Sequence, residues 1–108
     1  MPVVRSMRDE RPDWLKWSGF GIGVINSADQ IELHFHDAHE YWFVFEGRAR
    51  VMSEGQEYEL GPGDILITKM GDEHEILEIL EAPLKSFWVE DELFGRMRPG
   101  HLHRPEDN

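Results

Sequence analysis

Residues 34–40 read HFHDAHE, which gathers imidazoles and carboxylates into one short stretch. In an extended strand alternate side chains share a face, so His34 and His36 point the same way. Glu40 has the same parity and joins them if the strand continues or turns briefly. His74 lies far away in the sequence and has to return on another strand to complete the group. The sequence therefore predicts one metal site, with His34, His36, Glu40 and His74 as its ligands.

His39 is the alternative to Glu40 in this site. It has the opposite parity and faces away in a regular strand, but a β-bulge would shift the register and exchange the two residues. A second alternative is that the histidines are ordinary packed residues, hydrogen-bonded to backbone, because an HxH pair alone is common. The joint spacing of HxH, three residues, Glu, six residues and Gly favours the metal site.

The ligand types narrow the choice of metal. Neutral imidazoles with one carboxylate suit a divalent transition metal such as Zn, Mn, Fe or Ni, and they do not suit Ca. The chain has no cysteine, which excludes a thiolate site, a disulfide scaffold and a cysteine nucleophile. No nucleophile elbow, P-loop or dinucleotide fingerprint is present, so the sequence names no catalytic residue beyond the ligands.

Length and charge set further limits. The chain has 108 residues, enough for one domain, and a net charge of −11. An acidic surface argues against nucleic acid and against anionic membranes as partners, and leaves a small-molecule ligand or substrate. No apolar run reaches the roughly 18 residues of a membrane span, and the N-terminus lacks the apolar core of a signal peptide. A cytoplasmic location is the expectation.

Short apolar runs between Gly, Pro and Asp turns predict an all-β sandwich or barrel. The expected organisation is an N-terminal arm (1–18), a β-barrel domain (19–97) and a loose polar tail (98–108). That tail contains a second HxH pair, His101 and His103. Strands are predicted at 20–26, 31–36, 40–46, 48–53, 56–60, 64–68, 74–80 and 84–89, and one or two helical turns at 90–97.

The spacing from His34 to Gly47 resembles the first motif of the cupin family: HxH, three residues, Glu, six residues, Gly. The chain also resembles the second cupin motif, at Gly63, Gly71 and His74. Departures from the two motifs fall at positions that do not bind metal, namely Ala28 for Gly, Lys69 for Pro and Glu78 for Asn.

This resemblance implies a double-stranded β-helix, or jelly-roll β-barrel, with the same four ligands. It also implies a metal-dependent enzyme on a small polar substrate, as in the sugar and sugar-phosphate isomerases of the family. A metal-dependent dioxygenase and a non-catalytic cupin that binds a small ligand are the alternatives, so whether the chain is an enzyme stays open.

The aromatic run after Glu40 carries a second prediction. If Glu40 points inward, Trp42 does too, and Tyr41, Phe43 and Phe45 form an outward apolar strip. A partner subunit or the N-terminal arm would cover it, with a second layer of the same chain as the alternative. A homodimer is expected because cupins often dimerise. Three basic residues are candidates for holding an anionic substrate, with pairing to the abundant acids as the alternative: Arg48, Arg50 and Lys69.

Overall fold

The computed structural model describes residues 3–29, 31–94 and 101–104, and this part of the chain is all β. Its strands are β1 (Gly19–Ile25), β2 (Glu40–Ser53), β3 (Gln56–Leu60), β4 (Ile65–Thr68) and β5 (His74–Glu90). Within those ranges no helix is long and apolar enough to cross a membrane. The predicted helical turns are not found at residues 90–94, and residues 95–97 lie outside the described part.

The strands form one antiparallel sheet in the order β1–β5–β2–β3, with β4 also paired to β2. Strands β2 and β3 are joined by the two-residue loop Glu54–Gly55, whose positive φ angles of 49° and 77° fit a type I′ turn. The turn between β3 and β4 closes through Asp64, whose amide donates to Gly61 O at 3.0 Å. Both turns lie at glycine-containing breaks between the strands predicted at 48–53, 56–60 and 64–68.

The long strand β2 merges two predicted strands, 40–46 and 48–53. Gly47 stands between them with φ +83°, and the register between β2 and β5 shifts on both sides of it. A Cβ at this glycine would collide with the carbonyl oxygens of Glu81 and Pro83. The residue read as a strand end is therefore a bulge that bends a continuous strand. Strand β5 likewise merges the predicted strands 74–80 and 84–89.

The predicted strand 31–36 is wrong. His34 forms an isolated bridge to His74, whereas Phe35 forms one to Leu102. Because neighbouring residues pair with different segments, no continuous ladder develops. The two backbone hydrogen bonds between His34 and His74, of 3.0 and 2.9 Å, still hold these residues directly opposite each other.

The core lies on the concave face of the sheet. Its buried residues are Trp42, Val44, Ala49, Val51, Leu60, Leu66 and Leu84. Glycines of β1 make room for Trp88 on the same face, since a Cβ at Gly21 would lie 3.3 Å from the Trp88 indole nitrogen. The sheet thereby leaves a space between Trp88 and the loop that carries His34 and His36.

Candidate metal centre

Register and strand parity bring the predicted ligands to one end of the concave face. Glu40 begins β2 and His74 begins β5, so each side chain is set by the sheet. His34 and His36 lie on the loop before β2, which is pinned to β5 by the His34–His74 backbone pair. All four side chains are buried, with exposed fractions of 4% or less.

Glu40 is the centre of the group. Its Oε2 lies 3.2 Å from His36 Nε2 and its Oε1 lies 3.3 Å from His74 Nε2. Ligand atoms of His36, Glu40 and His74 all lie within 4.8 Å of one another. Around an octahedral metal with bonds of about 2.1 Å, neighbouring donors are about 3 Å apart. The spacing matches what one shared ion requires.

The hydrogen bonds of His34 and His36 show which ring nitrogen faces the site. Nδ1 of His34 lies 2.6 Å from the carbonyl oxygen of Glu32, which only accepts, so Nδ1 carries the proton and donates. Nε2 of His34 is buried and has no hydrogen-bond partner among the described residues. Nδ1 of His36 lies 3.3 Å from Glu90 Oε1. In each ring, Nδ1 contacts a carbonyl or carboxylate oxygen on the side away from the site, as in metal-binding histidines.

Charge in the site is unevenly distributed. Burial raises the pKa of Glu40, but hydrogen bonds from His36 and His74 outweigh it and bring the pKa below its usual range. Glu40 therefore stays ionised. Burial lowers the pKa of His34 to about 4, so this imidazole is neutral near pH 7. An ionised carboxylate beside a neutral imidazole is the donor set that a divalent transition metal prefers.

His39 takes no part in this group. Its Nδ1 accepts a hydrogen bond from the backbone amide of Met70 at 3.0 Å, and its backbone carbonyl accepts one from Asp91. No bulge shifts β2 at Glu40, which remains in regular register with Thr68 and Glu90. Glu40 therefore lies in the group with His36 and His74, and His39 does not.

Residues that the sequence did not single out complete the surroundings. Trp42 Nε1 donates to Glu40 Oε1 at 2.7 Å and fixes the carboxylate. Glu90 stands opposite Glu40 in the register, and burial followed by repulsion from Glu40 raises its pKa, against the opposing pull of His36. Finding Glu90 needs the β2–β5 register, which strand patterns alone do not give.

The second HxH pair was predicted to lie in a loose tail, but its first histidine, His101, is in contact with the site. The His101 ring stacks on His34 at a centroid distance of 3.9 Å. Ligand atoms of His34, His36 and His101 also lie within 4.8 Å of one another. Burial lowers the pKa of His101. The HxH pattern is the signal for this contact in the sequence, but no glutamate follows it at the spacing that separates His36 from Glu40.

A cavity of about 300 Å³ opens beside the ligands. It is lined by Ile25, Ile31, Glu40, Trp42, Ser86, Trp88, Glu90 and His101. Trp88, the core residue seated over the β1 glycines, therefore also forms a wall of this cavity. The three basic candidates lie elsewhere: Arg48 pairs with Glu59, Arg50 pairs with Glu57 and Glu78, and Lys69 is exposed.

Residues 22–90 match the model of the Cupin domain family, and the chain belongs to this family. The match contains three of the proposed ligands on the loop and β2, together with His74 on β5. The resemblance inferred from the two motifs is thereby confirmed, as is the all-β double-stranded β-helix fold.

A curated relative is the uncharacterized protein y4oW of Sinorhizobium fredii, 36% identical over 84 residues that cover 74% of this chain. The chain spans only 38% of that relative's length. Its description names no activity.

Solved structures with the same fold include the predicted oxalate decarboxylase of Thermotoga maritima (TM-score 0.66, 22% identity, 72% of this chain and 69% of that one). An RmlC-like cupin of Methanocaldococcus jannaschii gives a TM-score of 0.64 at 17% identity, covering 71% and 72%. DMSP lyase DddQ of Ruegeria pomeroyi gives 0.65 at 24% identity, covering 81% of this chain and 43% of the lyase. At these identities the likeness establishes the fold alone.

Proposed function

We propose that the chain binds one divalent transition metal ion, Zn, Mn, Fe or Ni, through His34, His36, Glu40 and His74. The observation that carries this is the buried carboxylate of Glu40 with an imidazole Nε2 at 3.2 or 3.3 Å from each oxygen. The Nδ1 of His36 faces Glu90, so Nε2 is the ring nitrogen directed at Glu40, where a bound cation would take the place of its proton. A cation among these donors compensates the buried negative charge.

We further propose that the chain is a metal-dependent enzyme acting on a small polar substrate in the adjoining cavity. A bound metal would supply Lewis-acid polarisation of a substrate oxygen. The chain itself binds and orients the substrate: Ser86 and Glu90 offer polar contacts, while the indoles of Trp42 and Trp88 form apolar walls that exclude water. Glu90 also holds the His36 ring in place.

The cavity favours an uncharged, sugar-like substrate over a sugar phosphate. Its lining among the described residues includes no lysine or arginine, the side chains that recognise phosphate best. The exposed pairs of Arg48 and Arg50 with glutamates account for those side chains without a substrate. We therefore propose an isomerase-like reaction on a small sugar. Two of the structural neighbours are named as a predicted oxalate decarboxylase and a DMSP lyase. The experiment therefore also has to detect reactions other than isomerisation.

The test starts with metal analysis of the purified protein. We expect about one equivalent of a transition metal, turnover of a sugar in a panel of aldoses and ketoses, loss of turnover after EDTA, and recovery on adding metal back. Turnover that persists in demonstrably metal-free protein would contradict the proposal. Oxygen consumption with catechols or diketones would identify a dioxygenase instead. Tight sugar binding without product would identify a non-catalytic cupin.

We also propose that the chain forms a homodimer through the convex face of the sheet. Pairing across β1, β5, β2 and β4 aligns one apolar row, Ile22, Phe87, Phe43 and Ile65. A parallel row runs through Phe20, Val89, Tyr41 and Ile67. Exposed fractions of 63% at Ile22, 52% at Ile65 and 69% at Ile67 show that much of this face lacks cover.

A second copy is the occupant that fits this face best. Among the described residues, the N-terminal arm contacts this face where Trp17 packs on Phe20 at 5.7 Å and Arg11 lies over the same ring. The chain carries −11 charges, so a two-fold contact between two acidic molecules is least repulsive where apolar rows meet.

A further inference from the structure

The C-terminal segment 101–104 is fastened to both loops that carry predicted ligands. Leu102 exchanges two backbone hydrogen bonds with Phe35, of 2.8 and 2.9 Å, between His34 and His36. Arg104 reaches the turn before His74, donating to the Gly71 carbonyl at 2.6 Å and to Glu73 at 2.9 Å. Its guanidinium also lies 4.9 Å from the centre of the Phe35 ring. These contacts fix where the residue preceding Leu102 can place its side chain.

That residue is His101, and its imidazole lies at the mouth of the cavity. The ring is 3.9 Å from the His34 ring and 5.3 Å from the His36 ring, measured between centroids. Its donor nitrogen lies within 4.8 Å of one nitrogen on each of those rings. His34, His36 and His101 thus form a second group of candidate ligands, which shares His36 with the group of His36, Glu40 and His74.

We propose that His101 is a further ligand of the metal ion and that the segment 101–104 thereby closes one of its open coordination positions. The inference rests on the proposed metal site. With His101 beside His34, His36, Glu40 and His74, a six-coordinate ion would keep one position for water or substrate. A substrate that binds through two oxygens would then need His101 to leave, whereas one that binds through a single oxygen would not.

The competing explanation is that His101 simply packs on His34 as one flat ring on another. Packing accounts for the stacking, but it does not require a nitrogen of His101 to approach His36 as well. The neighbouring His103 provides the contrast, because its Nδ1 contacts the Leu33 carbonyl at 2.8 Å and its ring is 6.4 Å from His34. It shares the segment and the residue type without belonging to either group of candidate ligands.

Nitrogen NMR of the zinc-loaded, ¹⁵N-histidine-labelled full chain tests this directly. We expect four rings with the shift of a zinc-bound nitrogen, and the loss of one such signal in His101→Ala but none in His103→Ala. Competition with a chelator should give His101→Ala a zinc Kd about 100-fold weaker, with His103→Ala near wild type. Arg104→Ala, which loosens the segment, should weaken zinc binding by a smaller factor.

Two outcomes would contradict the proposal, and they are distinguishable. Three zinc-bound rings that persist unchanged in His101→Ala, with an unaltered Kd, would overturn the role of His101 and leave the four-ligand site standing. A sample that binds no zinc in wild type would reject the metal site and this inference together. Because His101 is exposed on its outer side, the alanine variant should fold, and a matching thermal transition for His103→Ala would confirm that comparison.

Discussion

Strand β2 has two faces that both depart from the ordinary rule of apolar inside and polar outside. Its concave face begins with Glu40, a carboxylate only 4% exposed, next to the buried Trp42 and Val44. Its convex face carries Phe43 and Phe45, which are 40% and 49% exposed. A buried ion needs a partner charge and an exposed apolar row needs a cover. The same strand thus points to a metal on one side and to another subunit on the other.

The largest expected effect lies on the concave face. His74→Ala should lower metal affinity by more than about 100-fold, because removing a direct ligand costs more than removing a residue behind one. His39→Ala is the matched control, since His39 bonds the Met70 amide and faces away. Metal content after dialysis, measured by elemental analysis, provides the check. Equal metal content in the two variants would remove His74 from the site.

A charge placed on each face of β2 should separate the faces by stability. Val44→Asp puts a carboxylate at a position 3% exposed, in contact with the core, and should destabilise the fold by roughly 4 kcal/mol. Phe45→Asp, one residue along, should change the unfolding free energy of the monomer by less than about 1 kcal/mol. Urea denaturation at low protein concentration measures both. Similar losses would mean that the convex face is packed in the monomer.

The sequence predicted the concave face of β2 well, but it predicted the cover of the convex face only in outline. Parity alone places Glu40, Trp42 and Val44 together, because side chains alternate along any strand. It cannot show that β2 continues through Gly47, since a glycine that ends a strand and one that forms a bulge look alike in sequence. The sequence left the cover over the aromatic strip open between the arm, a partner and a second layer of the same chain, and among the described residues the arm contacts this face at Phe20.

The residues behind the ligands were the least accessible to sequence reasoning. Glu90 becomes a partner of His36 only when β5 pairs with β2 in a register that sets it opposite Glu40. His101 becomes a neighbour of His34 only through the pairing of Leu102 with Phe35. Both depend on contacts between segments far apart in the chain, and local patterns contain no information on such register.

A single charged residue on the convex face should dissociate the proposed dimer without changing metal binding. Phe43→Glu sets a carboxylate in the centre of the apolar row and should weaken dimerisation by roughly 100-fold, since like charges then meet across a two-fold contact. Sedimentation velocity over a concentration series measures the change, with Tyr58→Glu on β3 as an exposed control away from the row. A wild type that stays monomeric at every concentration would contradict the homodimer.

The smallest expected effect comes from the residue that connects the strand pairing to the site. Glu90→Gln keeps the shape of the side chain but replaces the carboxylate near His36 Nδ1 by a neutral amide. Metal affinity should fall by about tenfold, because the ring is oriented and made more basic by that carboxylate. Ser86→Ala, which alters the same cavity without touching His36, is the control. If Glu90→Gln and wild type bind metal equally, the carboxylate of Glu90 does not support metal binding through His36. Its role is then limited to lining the cavity.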